Sequence, residues 1–389
     1  MQKTLTKLIR SALWRTGVGV WTATRYWRVQ STGPGYEVLL DQEADVFADL
    51  PTDFNNTAFS NFIARDSARW SRQRESVIAV ADVLLEPERL LGTRAGRELV
   101  DQSVVYKHDR QYPYILPHLL HQNRPTQVLA EAIYYDGSAT RNYYHHFVDA
   151  LSRLYVLEKA GISDSLPLLI TRQMFDQEFF QYLYRRSEQF RQLNWYVVEP
   201  GQWVQVQRLY FAQARHYDPA TWQVMRKQYD LRDVRSQRRI FLNRDRHRYG
   251  RYLTNEAEAI ALLNRYGFEN TFAEHLTITE QAELFANTEY LIALTGAGLI
   301  QQFFMNPACG SVIEIMPANR LMPEYYWQGS TLGMRYYDVV VGGEMHDGKD
   351  YPVDLVELEA AVQRMLANEH AGRVYGRTAL PALGVGYAS

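Results

Sequence analysis

The sequence is poor in the features that mark several large classes of protein. Cys309 is the only cysteine in 389 residues, so the chain forms no intrachain disulfide and no Cys-rich zinc site. A lone cysteine fits a reducing compartment, and we predict a cytoplasmic protein. The formal net charge of −2 provides no overall basic field. We therefore expect no nucleic-acid partner.

Long apolar runs are also missing. No stretch reaches the roughly 18 to 20 apolar residues that a membrane-spanning helix needs. Residues 1–28 carry lysine and arginine but no acidic residue, and they lack the cleavage site of a signal peptide. Apolar side chains recur at helical spacing at Leu5, Leu8, Ile9, Ala12 and Leu13. Such a basic amphipathic segment (1–30) either lies peripherally on the inner membrane face or packs on its own domain.

The rest of the chain has the composition and pattern of a soluble α/β protein. Hydrophobic residues make up 46% and charged residues 22%, and the length allows roughly two domains. Short apolar runs alternate with helical patterns, which predicts parallel strands covered by helices. The charged stretch 229–237 lacks apolar periodicity and predicts the crossing between domains. We place an N-terminal α/β domain at 31–230, a Rossmann-like domain at 235–345, and a C-terminal helix and tail at 346–389.

The pattern places individual strands and helices along both halves. Strands are predicted at 76–85, 126–135, 166–170 and 194–200 in the first half, and at 238–244, 268–273, 289–295, 311–317 and 335–341 in the second. Helices are predicted at 147–161, 177–187, 255–266, 281–287, 325–333 and 353–370. Asn255 with Glu258, and Thr277 with Glu280, have the spacing of capping boxes.

Two glycines mark a candidate anion site. Gly296 and Gly298 follow a predicted strand and precede a helix that begins at Leu299, the place where open α/β sheets bind ligands. Free N–H groups at a helix start attract an anion, and glycine lets it approach the backbone. Gln301 replaces the third glycine of the dinucleotide fingerprint, which disfavours a nicotinamide-dependent enzyme. The chemistry of the turn suits a phosphate, although many such turns are only tight turns.

Charged residues on the neighbouring predicted strands add to this site. An arginine-rich stretch accompanies the strand 238–244, and we choose Arg244 and then Arg239 as phosphate ligands because guanidinium groups match phosphate oxygens. Glu314 stands in the apolar run VIEIM, where a carboxylate needs a partner. It either binds ribose hydroxyls or pairs with a neighbouring arginine. Together these features predict a site for a nucleoside diphosphate.

A second candidate site lies in RNYYHHFVDALSRL (141–154). His145 and Asp149 fall on one face of a predicted helix, opposite its apolar face. The pair could take a proton from a hydroxyl, with Asp149 as the base or as the group that orients the imidazole. A solvated helix face with an ordinary ion pair fits the spacing as well.

The motifs together resemble one enzyme family. The chain resembles glycosyltransferase family 61, in the type found in bacterial capsular polysaccharide loci, through NYYHHFVDALSRLYVLEKAG, RRIFLNRDR and YGFENTFAEHLTITEQAELFANTEYLIALTGAGLIQQFFMNPACGSVIEIMP with a following YYW. The resemblance covers about residues 130–342. Residues 1 to about 125 have no matching motif.

The resemblance implies a fold and a reaction. It implies the GT-B architecture, two Rossmann-like domains facing a central cleft, with inversion at the anomeric carbon and no essential metal. The absence of an Asp-x-Asp motif is consistent with this. We predict a hexosyl- or pentosyltransferase that moves a sugar from a nucleotide sugar, such as a UDP-sugar, to a saccharide acceptor, free or lipid-linked. The predicted domain 31–230 would face the acceptor, and the domain 235–345 would bind the nucleotide sugar.

The resemblance also implies roles for residues. The resemblance assigns catalysis to Asp149 and His145, and donor binding to Arg244, Gly296, Ala297, Gly298 and, at the ribose, Glu314; we add Arg239 and Thr295 to the donor-binding residues. Sugar or acceptor contacts are assigned to Asn142, Tyr144, His146, Arg153, Tyr326 and Trp327, although core packing explains the last two equally well. Thr295 stands where many members have histidine, so it can donate a hydrogen bond but carries no proton charge.

Two other functions fit parts of this pattern. A membrane-bound scaffold could bind a nucleotide sugar without turnover. A nicotinamide-dependent oxidoreductase would use the same half-fold but needs the glycine that Gln301 replaces. No bound cofactor is predicted for the transferase, because the nucleotide sugar is its substrate.

Overall fold

A computed structural model describes residues 28–45, 54–70, 72–94, 98–103, 125–136, 142–214, 217–228, 238–247 and 250–367. Most of the basic N-terminal segment, the predicted crossing 229–237 and the tail from 368 lie outside these residues. Within the described ranges, no helix is both long and apolar enough to cross a membrane. The chain divides into a first unit, Met1–Glu43 with Arg74–His216, and a second unit, Ala44–Gln73 with Tyr217–Ser389.

The strands are short to medium in length. They are β1 (Arg28–Gln30), β2 (Tyr36–Asp45), β3 (Arg72–Leu85), β4 (Gly92–Arg94), β5 (Glu98–Val100), β6 (Gln127–Tyr134), β7 (Leu168–Thr171), β8 (Trp195–Val198), β9 (Val204–Gln213), β10 (Arg238–Asn243), β11 (Tyr252–Leu253), β12 (Glu269–Phe272), β13 (Thr288–Leu294), β14 (Ser311–Pro317), β15 (Tyr336–Gly342) and β16 (Asp350–Tyr351).

The helices occupy most of the remaining described chain. They are α1 (Thr57–Trp70), α2 (Tyr143–His145), α3 (Ser152–Lys159), α4 (Arg172–Phe175), α5 (Glu178–Arg186), α6 (Glu188–Gln192), α7 (Pro219–Gln228), α8 (Glu256–Arg265), α9 (Ile278–Ala286), α10 (Glu324–Leu332) and α11 (Leu355–Ala367). A π-helical stretch, His146–Leu151, joins α2 to α3. Short 3-10 segments are Asp101–Ser103, Ala273–His275 and Ala297–Phe304.

The first unit is built on a mixed sheet. Over the described residues its order is β1-β5-β4-β3-β9-β6-β7-β8, with β2 paired to β3. Strands β9, β6, β7 and β8 are mutually parallel, whereas β3 is antiparallel to β9. The predicted strands at 76–85, 126–135, 166–170 and 194–200 are β3, β6, β7 and β8, and β9 was not predicted. Only part of this sheet therefore has the parallel arrangement expected of a Rossmann-like domain.

Within the described residues, the second unit contains a fully parallel sheet in the order β12-β10-β13-β14-β15. All five strands lie within a residue or so of the predicted positions. β13 and β14 are buried along their whole length, because helices cover both faces of such a sheet. The capping box of Thr277 and Glu280 is present at the start of α9. The carboxyl ends of β10, β13 and β14 lie at one edge.

One prediction about a helix cap was wrong. Asn255 precedes α8, but its side chain does not cap the helix. It accepts a hydrogen bond from Val353 N at 3.0 Å and donates one to Val353 O at 2.8 Å, so it ties α8 to the segment before α11. The helix predicted at 147–161 is present as the π-helical stretch followed by α3, and Gly161, whose φ is +68°, ends it as predicted.

The second unit also includes residues from far earlier in the chain. Phe54 packs edge-on against Tyr326 with 4.8 Å between ring centroids, and α1 follows it. Asn55 Nδ2 donates to Asp338 Oδ2 at 3.2 Å, and Asn56 Nδ2 donates to Glu357 Oε1 at 2.9 Å. This division differs from the single boundary near residue 230 that the sequence suggested, because residues 54–56 contact α10, β15 and α11.

Candidate active site

Three arginines lie at the carboxyl edge of the parallel sheet. Arg244 follows β10, Arg251 stands just before β11, and Arg320 follows β14. Arg244 donates from Nη1 to Gly250 O at 3.4 Å. Among the described residues none of the three forms a salt bridge with a carboxylate. We call these three residues the arginine cluster.

The arginine cluster is electrostatically strained. Burial, and then repulsion from Arg251, lowers the pKa of Arg244 to about 10. The pKa of Arg251 is lowered as well, first by burial and then by Arg320. Like charges held together in a partly buried place are unfavourable unless an anion compensates them. The cluster has the character of an anion-binding site.

Gly296 provides the floor of this site. Its φ of +146° and ψ of −178° belong to a region that is essentially restricted to glycine. A Cβ atom at this position would overlap the guanidinium of Arg244. The Arg244 side chain therefore lies directly against the Gly296 backbone, which β13 places beside the end of β10.

The 3-10 segment after Gly296 begins with free backbone donors. Its first hydrogen bond runs from Leu299 N to Gly296 O at 2.8 Å, so the N–H groups of Ala297 and Gly298 precede the hydrogen-bonded turns. Gly298 has an ordinary φ, and a Cβ there would approach Leu242 Cδ2 to 3.1 Å. These donors are next to the arginine cluster and add to its attraction for an anion.

Arg251 is held by an unusual backbone. Its φ is +67°, which is uncommon for a residue other than glycine. Its N–H donates to Lys349 O, and Tyr252 N donates to the same oxygen at 3.0 Å. The short parallel pair of β11 and β16 continues this contact. A strained conformation maintained by two backbone hydrogen bonds suggests that the position of this guanidinium matters.

Two buried tyrosines accompany the arginines. Burial raises the pKa of Tyr325 and of Tyr351. Both phenols are close enough to Arg244 and Arg251 to interact electrostatically with them. Tyr351 donates to Ile315 O at 3.1 Å. Tyr325 is the first tyrosine of the YYW run and the one that α10 directs toward the cluster.

Glu314 lies behind the cluster, in the middle of β14. Its side chain is completely buried, and Oε2 accepts a hydrogen bond of 2.7 Å from the hydroxyl of Tyr337. Burial raises the pKa of Glu314 to about 8, although the hydroxyls of Thr295 and Tyr337 oppose the rise. Within the described residues it forms no salt bridge. The structure thus gives Glu314 neither an arginine partner nor an exposed face for a ribose.

Three residues of the predicted donor and sugar set lie elsewhere. Arg239 is at the amino end of β10, the opposite edge of the sheet, where it donates to Tyr266 O at 2.7 Å and covers the Tyr290 ring. The structure does not bring it to Arg244, because the strand separates them. Tyr326 and Trp327 are fully buried, Tyr326 against Phe54 and Trp327 against Tyr217, so core packing accounts for both.

The first unit holds the His145 and Asp149 pair. His145 Nδ1 is 2.7 Å from Asp149 Oδ2, and the two side chains are 35% and 17% exposed. The π-helical stretch that contains Asp149 is a rare local geometry that occurs often at functional sites. An imidazole held by a carboxylate through one nitrogen leaves its other nitrogen for a second partner. The pair can thus accept and hold a proton.

The neighbours of this pair have different environments. His146 is fully buried among Phe147, Phe179 and Phe180, and burial lowers its pKa to about 3. His145 is therefore the accessible histidine of the two, and His146 is part of the core.

The other three residues assigned to sugar or acceptor contacts also take part in the local structure. Asn142 caps α2 by accepting from Tyr144 N at 3.0 Å, and the Tyr144 ring meets His145 edge-on. Arg153 donates to Tyr135 O at 2.9 Å. Asn142 is exposed and Tyr144 half-buried, so both remain candidates for contact with an acceptor.

The sequence analysis did not choose Arg251, Arg320 or Tyr325. Arg251 was visible as one of several arginines after β10, but the spacing could not show which of them a backbone contact would hold inward. Arg320 follows the strand of Glu314 by a few residues, in the same relation to β14 that Arg244 has to β10. A search for basic residues after every predicted parallel strand would have found it.

The comparisons with known proteins give one family match. No curated protein matches the chain. The model of the family described as glycosyltransferase 61 matches residues 143–312, a range that includes the His145 and Asp149 pair, Arg244, Arg251 and Gly296. Over this range, which is less than half of the chain, the protein is similar to glycosyltransferase family 61.

Proposed function

We propose that the protein is an inverting, metal-independent glycosyltransferase that uses a nucleoside diphosphate sugar, with UDP as the nucleotide, and a saccharide hydroxyl as acceptor. The observation that carries the proposal is the arginine cluster. Three guanidinium groups that form no salt bridge within the described residues repel one another there, and the Arg244 guanidinium lies against the backbone of Gly296. Guanidinium groups match the geometry of phosphate oxygens, and the family match indicates sugar transfer.

The donor half of the reaction takes place at this cluster in our proposal. The bond between the anomeric carbon and the β-phosphate oxygen breaks, and negative charge grows on the leaving nucleoside diphosphate. Arg244, Arg251, Arg320 and the N–H groups of Ala297 and Gly298 stabilise that charge. Each preorganised donor of this kind contributes roughly 3 kcal/mol in comparable oxyanion sites.

The acceptor half uses the pair in the first unit. The acceptor oxygen forms a bond to the anomeric carbon and loses its proton to Asp149, with His145 beside it. We keep the GT-B arrangement as part of the proposal, because one reaction needs both groups of residues. Transfer in capsular or other surface polysaccharide synthesis, with an acceptor that is free or lipid-linked, is proposed with it on the sequence resemblance alone.

A ligand panel tests the donor site. Thermal shifts are measured with UDP, GDP, CDP and CMP, followed by hydrolysis assays on sugars of the nucleotide that stabilises most. We expect UDP to stabilise the wild-type protein, and Arg244→Gln and Arg251→Gln to remove most of that stabilisation. Arg239→Gln is the matched control, since Arg239 lies at the other edge of the sheet. Equal losses in all three variants would show that the cluster is not the binding site.

The base is tested separately. Asp149→Asn keeps the shape of the side chain but removes its capacity to take a proton, so sugar transfer is abolished while stabilisation by UDP persists. The measurement is release of UDP in the presence of acceptor. Full turnover in the variant would remove Asp149 from the role of base. A wild-type protein that binds UDP but never releases it from a sugar would favour the non-catalytic scaffold.

The cellular location is part of the proposal as well. We propose a cytoplasmic protein with peripheral membrane contact through residues 1–28, whose basic charge suits an anionic surface. Co-sedimentation with anionic vesicles, compared between the full chain and a chain without this segment, tests it. Equal binding of both forms would show that the contact lies elsewhere.

A further inference from the structure

The buried environment of Glu314 contains hydroxyl groups rather than cations within bonding distance. Tyr337 OH donates to Oε2 at 2.7 Å, while Oε1 and the Thr295 hydroxyl are both fully buried and have no partner of good hydrogen-bond geometry among the described residues. Thr295 is the residue before Gly296, and its N–H donates to Ile315 O at 2.8 Å. Glu314 thus stands directly behind the turn that forms the floor of the arginine cluster.

A charged carboxylate is unfavourable in this place. Removal of an ionised carboxylate from water is costly unless a cation pairs with it, and Glu314 forms no salt bridge in the part of the chain that the structure describes. The ionisable groups that face it are Tyr337 on β15, Glu324 and Tyr325 on α10, Tyr351 on β16 and Arg251. Arg251 is the only cation among them, and Glu324 opposes ionisation. The raised pKa of Glu314 agrees with this geometry.

We propose that Glu314 is a neutral carboxylic acid that positions the Gly296 turn and leaves the charge of the arginine cluster undiminished for the diphosphate. The proposal rests on the proposed function, because it concerns the same donor site. As an acid, Glu314 accepts from Tyr337 through one oxygen, and the O–H on the other can turn to Thr295 Oγ1. This hydrogen-bonded path joins β15, β14 and the end of β13. Glu314 is a positioning residue in this role and does not bind the ribose.

Glu314→Gln distinguishes the two roles. Glutamine has the same shape, accepts from Tyr337 and offers an N–H to Thr295, but cannot ionise. The affinities for UDP and for 2′-deoxy-UDP are measured by calorimetry from pH 6.5 to 9, below the pKa of Arg244. Glu324→Gln is the matched control, because Glu324 is the other carboxyl near the site and burial raises its pKa too.

We expect Glu314→Gln to keep wild-type affinity for UDP at pH 7. As the pH rises from 7 to 9, wild-type affinity should fall on the order of tenfold relative to Glu314→Gln, because a new negative charge beside Arg251 weakens anion binding. The Glu324→Gln variant should follow the wild type. Glu314→Gln should leave the preference for UDP over 2′-deoxy-UDP unchanged.

Two results would overturn the inference. A loss of UDP affinity in Glu314→Gln at pH 7, together with loss of the preference over 2′-deoxy-UDP, would identify an ionised ribose ligand. A constant ratio between wild type and Glu314→Gln across the pH range would show that Glu314 does not titrate there. Absence of UDP binding in the wild type would instead refute the proposed function.

A ligand-free measurement then still tests the acid. The infrared difference spectrum between wild type and Glu314→Gln should contain a protonated carboxylic acid band at pH 7 that disappears at pH 9. A carboxylate band already present at pH 7 would contradict the proposal.

Discussion

Gly296 is the residue at which backbone conformation and charge meet. Its φ of +146° is open to glycine, and the absent Cβ makes room for the Arg244 guanidinium against the main chain. Gly298, two residues later, has an ordinary φ, and a Cβ there would make a looser contact. The two glycines of one G-x-G motif therefore have different structural roles, which the motif alone does not reveal.

Gly296→Ala should impair both folding and ligand binding. The alanine would be strained at this φ, at a cost of about 1–3 kcal/mol, and its methyl group would displace Arg244. We expect a lower free energy of unfolding in urea and loss of most of the thermal stabilisation by UDP. Gly298→Ala is the control, since its Cβ meets only the tip of Leu242. Equal effects of both substitutions would contradict the assigned roles.

The ionisation of Glu314 makes stability depend on pH. Its folded-state pKa of about 8 exceeds the ordinary value of 4.5, so the folded state holds the proton more tightly than the unfolded state. The contribution of Glu314 to the free energy of unfolding is complete below pH 4.5. It is lost as the pH rises to 8, by up to roughly 1.4 kcal/mol per pH unit. Glu314→Gln should thus become increasingly more stable than wild type between pH 5 and 8, as measured by urea unfolding. A constant difference would refute this.

At the scale of elements, the arginine cluster depends on a contact between two loops. Gly250 lies close to the Gly348 and Lys349 backbone, and Arg251 N–H donates to Lys349 O. The pair of β11 and β16 extends this contact. Neither loop contains a ligand-binding pattern that is visible in the sequence, yet together they fix the direction of Arg251.

Gly250→Ala should weaken donor binding without removing any charged group. An added Cβ would come within 2.7 Å of Gly348 O, a backbone atom that cannot move away cheaply. The shift of Arg251 should reduce UDP affinity about tenfold, the loss expected for one charged hydrogen bond. Calorimetric titration measures this effect. Gly161→Ala, in the first unit at a φ of +68° with open space around it, should leave the affinity unchanged.

The sequence predicted elements well wherever period and caps agreed. The five strands of the second unit and the Thr277 cap were recovered because apolar runs and turn residues pointed to the same boundaries. β9 and the mixed sheet of the first unit were not, since pairing between distant segments leaves no local pattern. The YYW run predicted the helix correctly but did not show which of its side chains faces the arginine cluster. Tyr326 and Trp327 were therefore chosen instead of Tyr325.

The whole molecule divides in a way that no local pattern indicated. Residues 44–73 belong to the second unit, although Arg74–His216 of the first unit separates them from the rest of it in sequence. Phe59 is fully buried there and lies edge-on to Phe54, 4.8 Å away between ring centroids, and to Tyr326. This aromatic group supports α10, the helix that carries Tyr325.

Phe59→Ala should therefore destabilise the second unit. Loss of a fully buried phenylalanine costs about 3–5 kcal/mol. We expect faster amide hydrogen exchange in residues 324–342, which are far away in sequence, together with weaker UDP binding. Phe62→Ala on the same helix, where the ring is half-buried, should have a smaller effect. Faster exchange confined to α1 would show that its packing does not support α10.

The early position of α1 has a consequence for biosynthesis. A ribosome that makes this chain synthesises Phe54 and Phe59 long before Tyr326, because Arg74–His216 of the first unit is translated in between. During that interval the two rings can pack on each other but not on Tyr326. The second unit can complete its core only after translation has passed α10. A nascent chain stalled before that point would expose hydrophobic side chains that chaperones recognise.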